Sequence, residues 1–140
     1  MNTEKIYAGI GSRETPYRVL EAMTKISIGL HDRGWFLRSG GASGADVAFA
    51  AGTSKLKVYY AEDATTEAIE LAGRFHPAWF RCSDYVRALH GRNSMIILGK
   101  YLNCPVKRVI CWTPGASLSG GTAMGIRIAL LRFMFHDNLP

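Results

Sequence analysis

Along this chain, short unbroken apolar runs alternate with longer segments in which apolar residues recur every three or four positions. The first pattern is that of a strand buried on both faces, the second that of a helix with one covered side. "KIYAGIG", "WFLRS", "LKVYY" and "VKRVICW" are strand-like runs. Leu20, Met23, Ile26 or Ser27, and Leu30 predict a first helix, with Thr15 as N-cap, Pro16 at the first helical position and Gly34 past the end. "DVAFAAG" predicts a second helix that stops at Gly52. A short third one is expected around Thr66 to Ala72, followed by an irregular stretch broken by Gly73 and Pro77. Val86, Leu89, Asn93 and Ile96 step by three, four and three, which predicts one helix over residues 84–98 with Gly99 near its end. Met124, Ile128, Leu131 and Phe135 define a last one.

Strand and helix alternate throughout. This implies an α/β fold, a single Rossmann-like three-layer domain over residues 1–140, with a mainly parallel sheet, helices on both faces and right-handed crossovers. A chain of 140 residues is the size of one core. No linker, repeat or low-complexity segment divides it. The closing "HDNLP" resembles a turn into a further strand, so the sheet is expected to lack a final strand or the chain to stop short of it.

Composition narrows the class. With 48% apolar and 20% charged residues the chain is too rich in large apolar side chains for disorder. "MNTEKIYAGIGSR" has no long apolar segment and no window nears 18 apolar residues, so a cytosolic protein without a membrane contact is expected. Cys82, Cys104 and Cys111 show no C-x-x-C spacing, and His31, His76, His90 and His136 stand at no metal-ligand spacing from one another or from the cysteines. Reduced cysteines, no metal and no cofactor are expected. The net charge of +6 favours an anionic partner, but the 17 basic residues form no stripe of the kind a polynucleotide surface needs.

Candidate chemistry sits in three loops that follow strands: "GIGSRET", "SGGASGAD" and "TPGASLSGGT". In an open parallel sheet such loops share one edge, outside the carboxyl ends of the strands, where ligands bind. Glycine permits close backbone approach, and amides at a helix start favour an anion, with phosphate the natural guest. Short strand-to-helix loops need glycine on geometric grounds as well; three on one edge favour a site. The expected phosphate contacts are the amides of Gly11, Ser12 and Arg13, of Gly40, Gly41, Ala42 and Gly44 after Ser39, and of Gly120, Gly121 and Thr122. A dinucleotide fingerprint fails: Glu14 holds the third glycine position, and Arg38 and Ser39 stand where a ribose carboxylate belongs. No Walker lysine follows either later loop.

Four further residues stand out. Ser43 and Asp46 match a capping box, so Asp46, a candidate catalytic carboxylate alongside Glu14, is expected mainly to cap its helix. Asn93 interrupts an apolar stripe and must find polar partners, by bracing a loop or by facing a ligand. Arg92 beside it could hold a phosphate with its forked guanidinium or lie on a solvated surface. Trp112, ending the fourth strand beside Thr113, could stack on a base or belong to the core.

Taken together, "GIGSRETP", "SGGASGADVAFAAG" and "GGTAMGIRIA" resemble the SLOG superfamily of Rossmann-like proteins, which includes the cytokinin-activating LOG phosphoribohydrolases and the DNA-processing protein A family. The "HGRN" helix with "VICWTPG" is similar to small SLOG proteins common in bacteriophage genomes. The resemblance implies a nucleotide or nucleotide-derived ligand in the cleft of these loops, and a homodimer or higher homo-oligomer, for which "IRIALLRFMF" offers an apolar face. LOG enzymes carry P-G-G-x-G-T-x-x-E. Here Gly121 and Thr122 match its G-T, the glutamate position falls on Gly125, and Pro114-Gly115 is displaced. Three functions follow in order: a module that senses or sequesters an ADP-ribose-like signal; a nucleoside-phosphate N-glycosidase using Glu14 or Asp46; and a single-strand DNA binder.

Overall fold

The structure is a computed structural model and describes residues 3–114. The last predicted helix and most of the third glycine loop, Gly120, Gly121, Thr122 and Gly125 included, lie outside the described residues.

Four strands, β1 (Ile6–Gly11), β2 (Phe36–Gly40), β3 (Leu56–Tyr59) and β4 (Arg108–Trp112), stand where the apolar runs predict them. They form one sheet in the order β3-β2-β1-β4, with every neighbouring pair parallel. Helices α1 (Tyr17–Asp32) and α2 (Ala45–Ala50) follow β1 and β2; α3 (Thr66–Phe75) and α4 (Asp84–Leu98) separate β3 from β4. The chain first walks outward from β1 to β3, then returns to the other side of β1. A constant crossover hand requires the helices to change face at that reversal, and they do. Tyr7 and Leu37 pack with Met23, Leu30, Ala45 and Phe49 of α1 and α2 on one face. Ile6, Ala8 and Ile10 pack with Ala68 and Ala72 of α3 and with Met95 to Leu98 of α4 on the other. Alternate side chains of β1 thus feed two cores, giving a Rossmann-like three-layer α/β arrangement. No helix among the described residues is long and apolar enough to cross a membrane.

Local details differ from the sequence pattern in three places, and a fourth settles an alternative the pattern left open. Pro16, not Thr15, is the N-cap of α1, and the Thr15 hydroxyl donates to the Ser12 carbonyl at 2.5 Å, closing the preceding turn. On the α1 stripe the buried member is Ser27, which donates to the Phe49 carbonyl at 2.6 Å, while Ile26 is exposed. The capping box at α2 does not form: Gly44 is the N-cap, with φ +82° and no side-chain cap. Helix α3 runs through Gly73 to Phe75, because Gly73 lies against Trp79 and the bare Cα lets the ring approach. Gly34 and Gly99 follow the ends of α1 and α4 as expected.

Candidate functional site

The strand order reverses at β1, so a crevice opens outside the carboxyl ends of β1 and β4, where Gly11 pairs with Trp112. A cavity of about 510 Å³ occupies that position, within the size range of small-molecule sites. One side is the loop after β1, from Gly11 through Ser12 and Arg13 to Glu14; Thr113 and Pro114 after β4 supply another. The third is α4. Val86, Leu89, Asn93 and Ile96, the stripe that reads as core-facing, line this cavity, with Ile96 also part of the core beneath it. An asparagine in that stripe is therefore the polar position of a cleft wall.

Asp46 and Arg92 close the inner end. Asp46 is 7% exposed, Arg92 9%. A methyl group on Gly40 would meet Asp46 Oδ2 at 2.7 Å and Arg92 Nη1 at 2.8 Å, so both charged groups rest on that bare Cα, and only glycine fits beneath them. Arg92 is held in a fixed orientation: Nη1 donates to the Tyr59 carbonyl at 3.1 Å and Nε to Asn93 Oδ1 at 3.0 Å. Its location excludes the solvated-surface reading and makes it a buried cation at the cleft. Burial raises the Asp46 pKa to about 6, against the pull of the Ala42 amide and of the Arg92 and Arg13 charges. Burial likewise lowers the Arg92 pKa, with Asp46 acting in the opposite sense. His90, also on the cleft, is pushed down to about 4 by burial, then by His76 and Arg92, and is neutral at pH 7.

Of the residues picked from sequence, Gly11, Ser12, Arg13, Glu14, Ala42, Asp46, Arg92, Asn93 and Thr113 line the cavity. Ser39, Gly40, Gly41, Gly44 and Trp112 do not. Ser39 is fully buried and donates to the Gly9 carbonyl at 2.5 Å. Gly41 lies against the Tyr60 ring. Trp112 packs with the α1/α2 core, on the face away from α4. Gly44 serves a close approach: a Cβ there would stand 2.9 Å from the Ser12 carbonyl oxygen and 3.0 Å from Arg13 Cα, and its φ of +82° is a glycine conformation.

Part of the expected cradle of amides is engaged by the protein itself. The Ala42 N–H donates to Asp46 Oδ2 at 3.2 Å, so the carboxylate takes the place foreseen for a ligand anion in "SGGASGAD". In the first loop, the Ser12 N–H donates to the Trp112 carbonyl and the Glu14 N–H to Ser12 Oγ. Among the side chains at the cavity, the guanidinium groups of Arg13 and Arg92 are the cationic donors. The apolar wall of Val86, Leu89 and Ile96, and His90 among them, was not readable as a site, because spacing alone cannot tell a helix facing a core from one facing a cleft.

No family model, curated protein or solved structure matches this chain.

Chemically, the cleft joins two guanidinium groups and hydroxyls of Ser12 and Thr113 at its polar side to a flat apolar helix face. It can hold a molecule with an anionic part and a planar, less polar part. A raised carboxyl pKa in such a cleft is also the condition of a general acid or base near neutral pH. Adjoining the cleft at His90, the residues His76, Cys82 and His90, which share no metal-binding spacing in sequence, converge so that their donor atoms all lie within 4.8 Å of one another.

Proposed function

We propose that the chain binds a nucleotide or nucleotide-derived, ADP-ribose-like phosphate ligand in the β1–β4 cleft, to sense or sequester it. One observation carries this reading: a switch-point cleft lined both by the cationic Arg13 and Arg92 and by the apolar Val86, Leu89 and Ile96 of α4. A phosphate suits the first and a base or ribose the second. The resemblance of the glycine loops to SLOG proteins supports the same ligand class, although the amides of Gly40 to Gly44 are not its contacts in this reading. Titration calorimetry with AMP, ADP and ADP-ribose, followed by chromatography of the incubated ligand, tests it. Stoichiometric binding with the ligand recovered intact is expected. Release of free base at a catalytic rate would sink the binding-only reading.

A second reading has its own observation, the Asp46 carboxyl with a pKa of about 6 in the cleft. In an N-glycosidase, Asp46 takes a proton from water as the water oxygen attacks C1′ and the base departs with the bond electrons. Asp46→Asn then abolishes turnover and spares binding, while Glu14→Gln, at the exposed rim, reports on the other candidate. Full activity in both variants removes the assignment. Homo-oligomerisation through "IRIALLRFMF" is proposed from sequence; a light-scattering mass equal to one chain at all concentrations would refute it.

A further inference from the structure

We propose that His76, Cys82 and His90 form a binding site for one thiophilic divalent cation, with zinc as the fitting ion, which ties the end of α3 to the wall of the cleft. The three residues come from three places: His76 follows α3, Cys82 follows a 3-10 turn at Trp79–Arg81, and His90 is on α4. Their donor atoms lie mutually within 4.8 Å. Zinc bonds of about 2.3 Å to sulfur and about 2.0–2.1 Å to nitrogen, at a tetrahedral angle, place the two ligand atoms about 3.6 Å apart. Cys82 Sγ and His76 Nε2 are 3.8 Å apart, so this edge of the tetrahedron requires almost no movement.

A second observation points to a missing partner. His90 is 8% exposed, and its Nδ1 is buried with no hydrogen-bond partner. Buried polar atoms are nearly always satisfied, and an orphan within a histidine-cysteine cluster is the atom a cation would satisfy. The surroundings suit a bound ion. The Trp79 ring packs beside both histidines, 5.9 Å from His76 and 6.2 Å from His90, and adds an apolar neighbour to the site. Arg87 lies against that indole, its guanidinium carbon 5.0 Å from the ring centroid and one nitrogen donating to the Trp79 carbonyl at 3.0 Å.

Loading has a defined proton balance. Without metal, the Ala78 N–H donates to His76 Nδ1 at 2.9 Å, which keeps the ring proton on Nε2, facing Cys82. The Cys82 thiol points to the Ala78 carbonyl at 3.7 Å. On binding, the thiol proton leaves to solvent, the His76 proton moves from Nε2 to Nδ1, and the Ala78 bond to the ring is given up. The Ala78 N–H bond to His76 Nδ1, the thiol contact with the Ala78 carbonyl and the His76–Cys82 contact are exchanged for coordination by two nitrogens and a thiolate. Three protein ligands leave a fourth position for water or another donor.

The test uses the intact chain, reduced without thiols and stripped with a chelator. Titration with Co²⁺ is expected to produce, at one equivalent, a near-ultraviolet thiolate-to-cobalt absorption and the strong visible bands of a tetrahedral site, both abolished by one equivalent of Zn²⁺. Cys82→Ser removes the thiolate band and Cys111→Ser leaves it intact. His90→Ala weakens binding by at least about tenfold, the lower bound already known for loss of an outer-shell partner. No cobalt spectrum with the wild type, or a thiolate band that survives Cys82→Ser, overturns the site. Alkylation mapped by peptide mass spectrometry needs no variant: Zn²⁺ must protect Cys82 while Cys111, which is exposed, still reacts. Equal protection or none refutes the proposal.

Discussion

Replacing Asp46 by asparagine removes a charge that the folded protein holds at a cost. In the unfolded chain the carboxyl titrates near its ordinary 3.8, and in the fold near 6, with burial the main cause. The folded state therefore binds the proton more tightly. Its extra stability is complete below about pH 3.8 and is lost as pH rises through about 6. The gap, at about 1.4 kcal/mol per tenfold change in proton affinity, makes ionised Asp46 a burden of about 3 kcal/mol above that window. Asparagine keeps an oxygen for the Ala42 amide and has no charge to bury. Relative to wild type, Asp46→Asn is thus expected to be more stable at pH 7.5 by up to about 3 kcal/mol, and to lose that advantage by pH 4. Urea unfolding of both proteins across this range, in buffers free of phosphate and nucleotides, reads the difference of differences, in which every other titrating group cancels. A stability gap between the two proteins that does not change with pH, or that favours the wild type more strongly at pH 7.5, refutes the reasoning. The same variant also serves to test the proposed hydrolytic reading against the binding one.

Three other substitutions probe the frame around it. Gly44→Ala forces a side chain into a φ of +82° and against the backbone of Ser12 and Arg13, and should cost at least about 1–3 kcal/mol in denaturant unfolding; a neutral result would mean the two loops do not meet there. Thr65 caps α3 by accepting from the Ala68 amide at 3.1 Å, so Thr65→Ala should cost about 1 kcal/mol in the same assay without altering ligand affinity. Arg92→Lys cannot serve Tyr59 and Asn93 together and point a donor into the cleft. Nucleotide affinity by calorimetry should fall by about 1.5–3 kcal/mol, the value of a charge-assisted hydrogen bond, and unchanged affinity would move the phosphate elsewhere.

The site was legible to the extent that local chemistry announces it. Glycine-bearing loops after strands located the edge at which the cavity opens, and Arg13, Arg92 and Asn93 could be named from their positions in a loop and in an apolar stripe. The roles of Asp46, Gly44 and Trp112 were not legible. Asp46 fits a capping box by spacing, but a cap depends on where the helix starts, and the approach of the β1 loop puts Gly44 there. Trp112 ends a strand, and only the side of the sheet to which it points separates a core residue from a base platform.

By itself the sequence determined the alternation of strand and helix, the ends of most elements and the parallel α/β class, because hydrophobic period, caps and glycine stops act over a few residues. Tertiary structure alone decided the strand order β3-β2-β1-β4, and with it the crevice between β1 and β4. It decided too that a buried carboxylate takes the amide foreseen for a ligand, that the α4 stripe faces a cavity, and that His76, Cys82 and His90 meet. Each of these depends on elements far apart in sequence being brought together, and no local pattern encodes which distant partner a side chain will find.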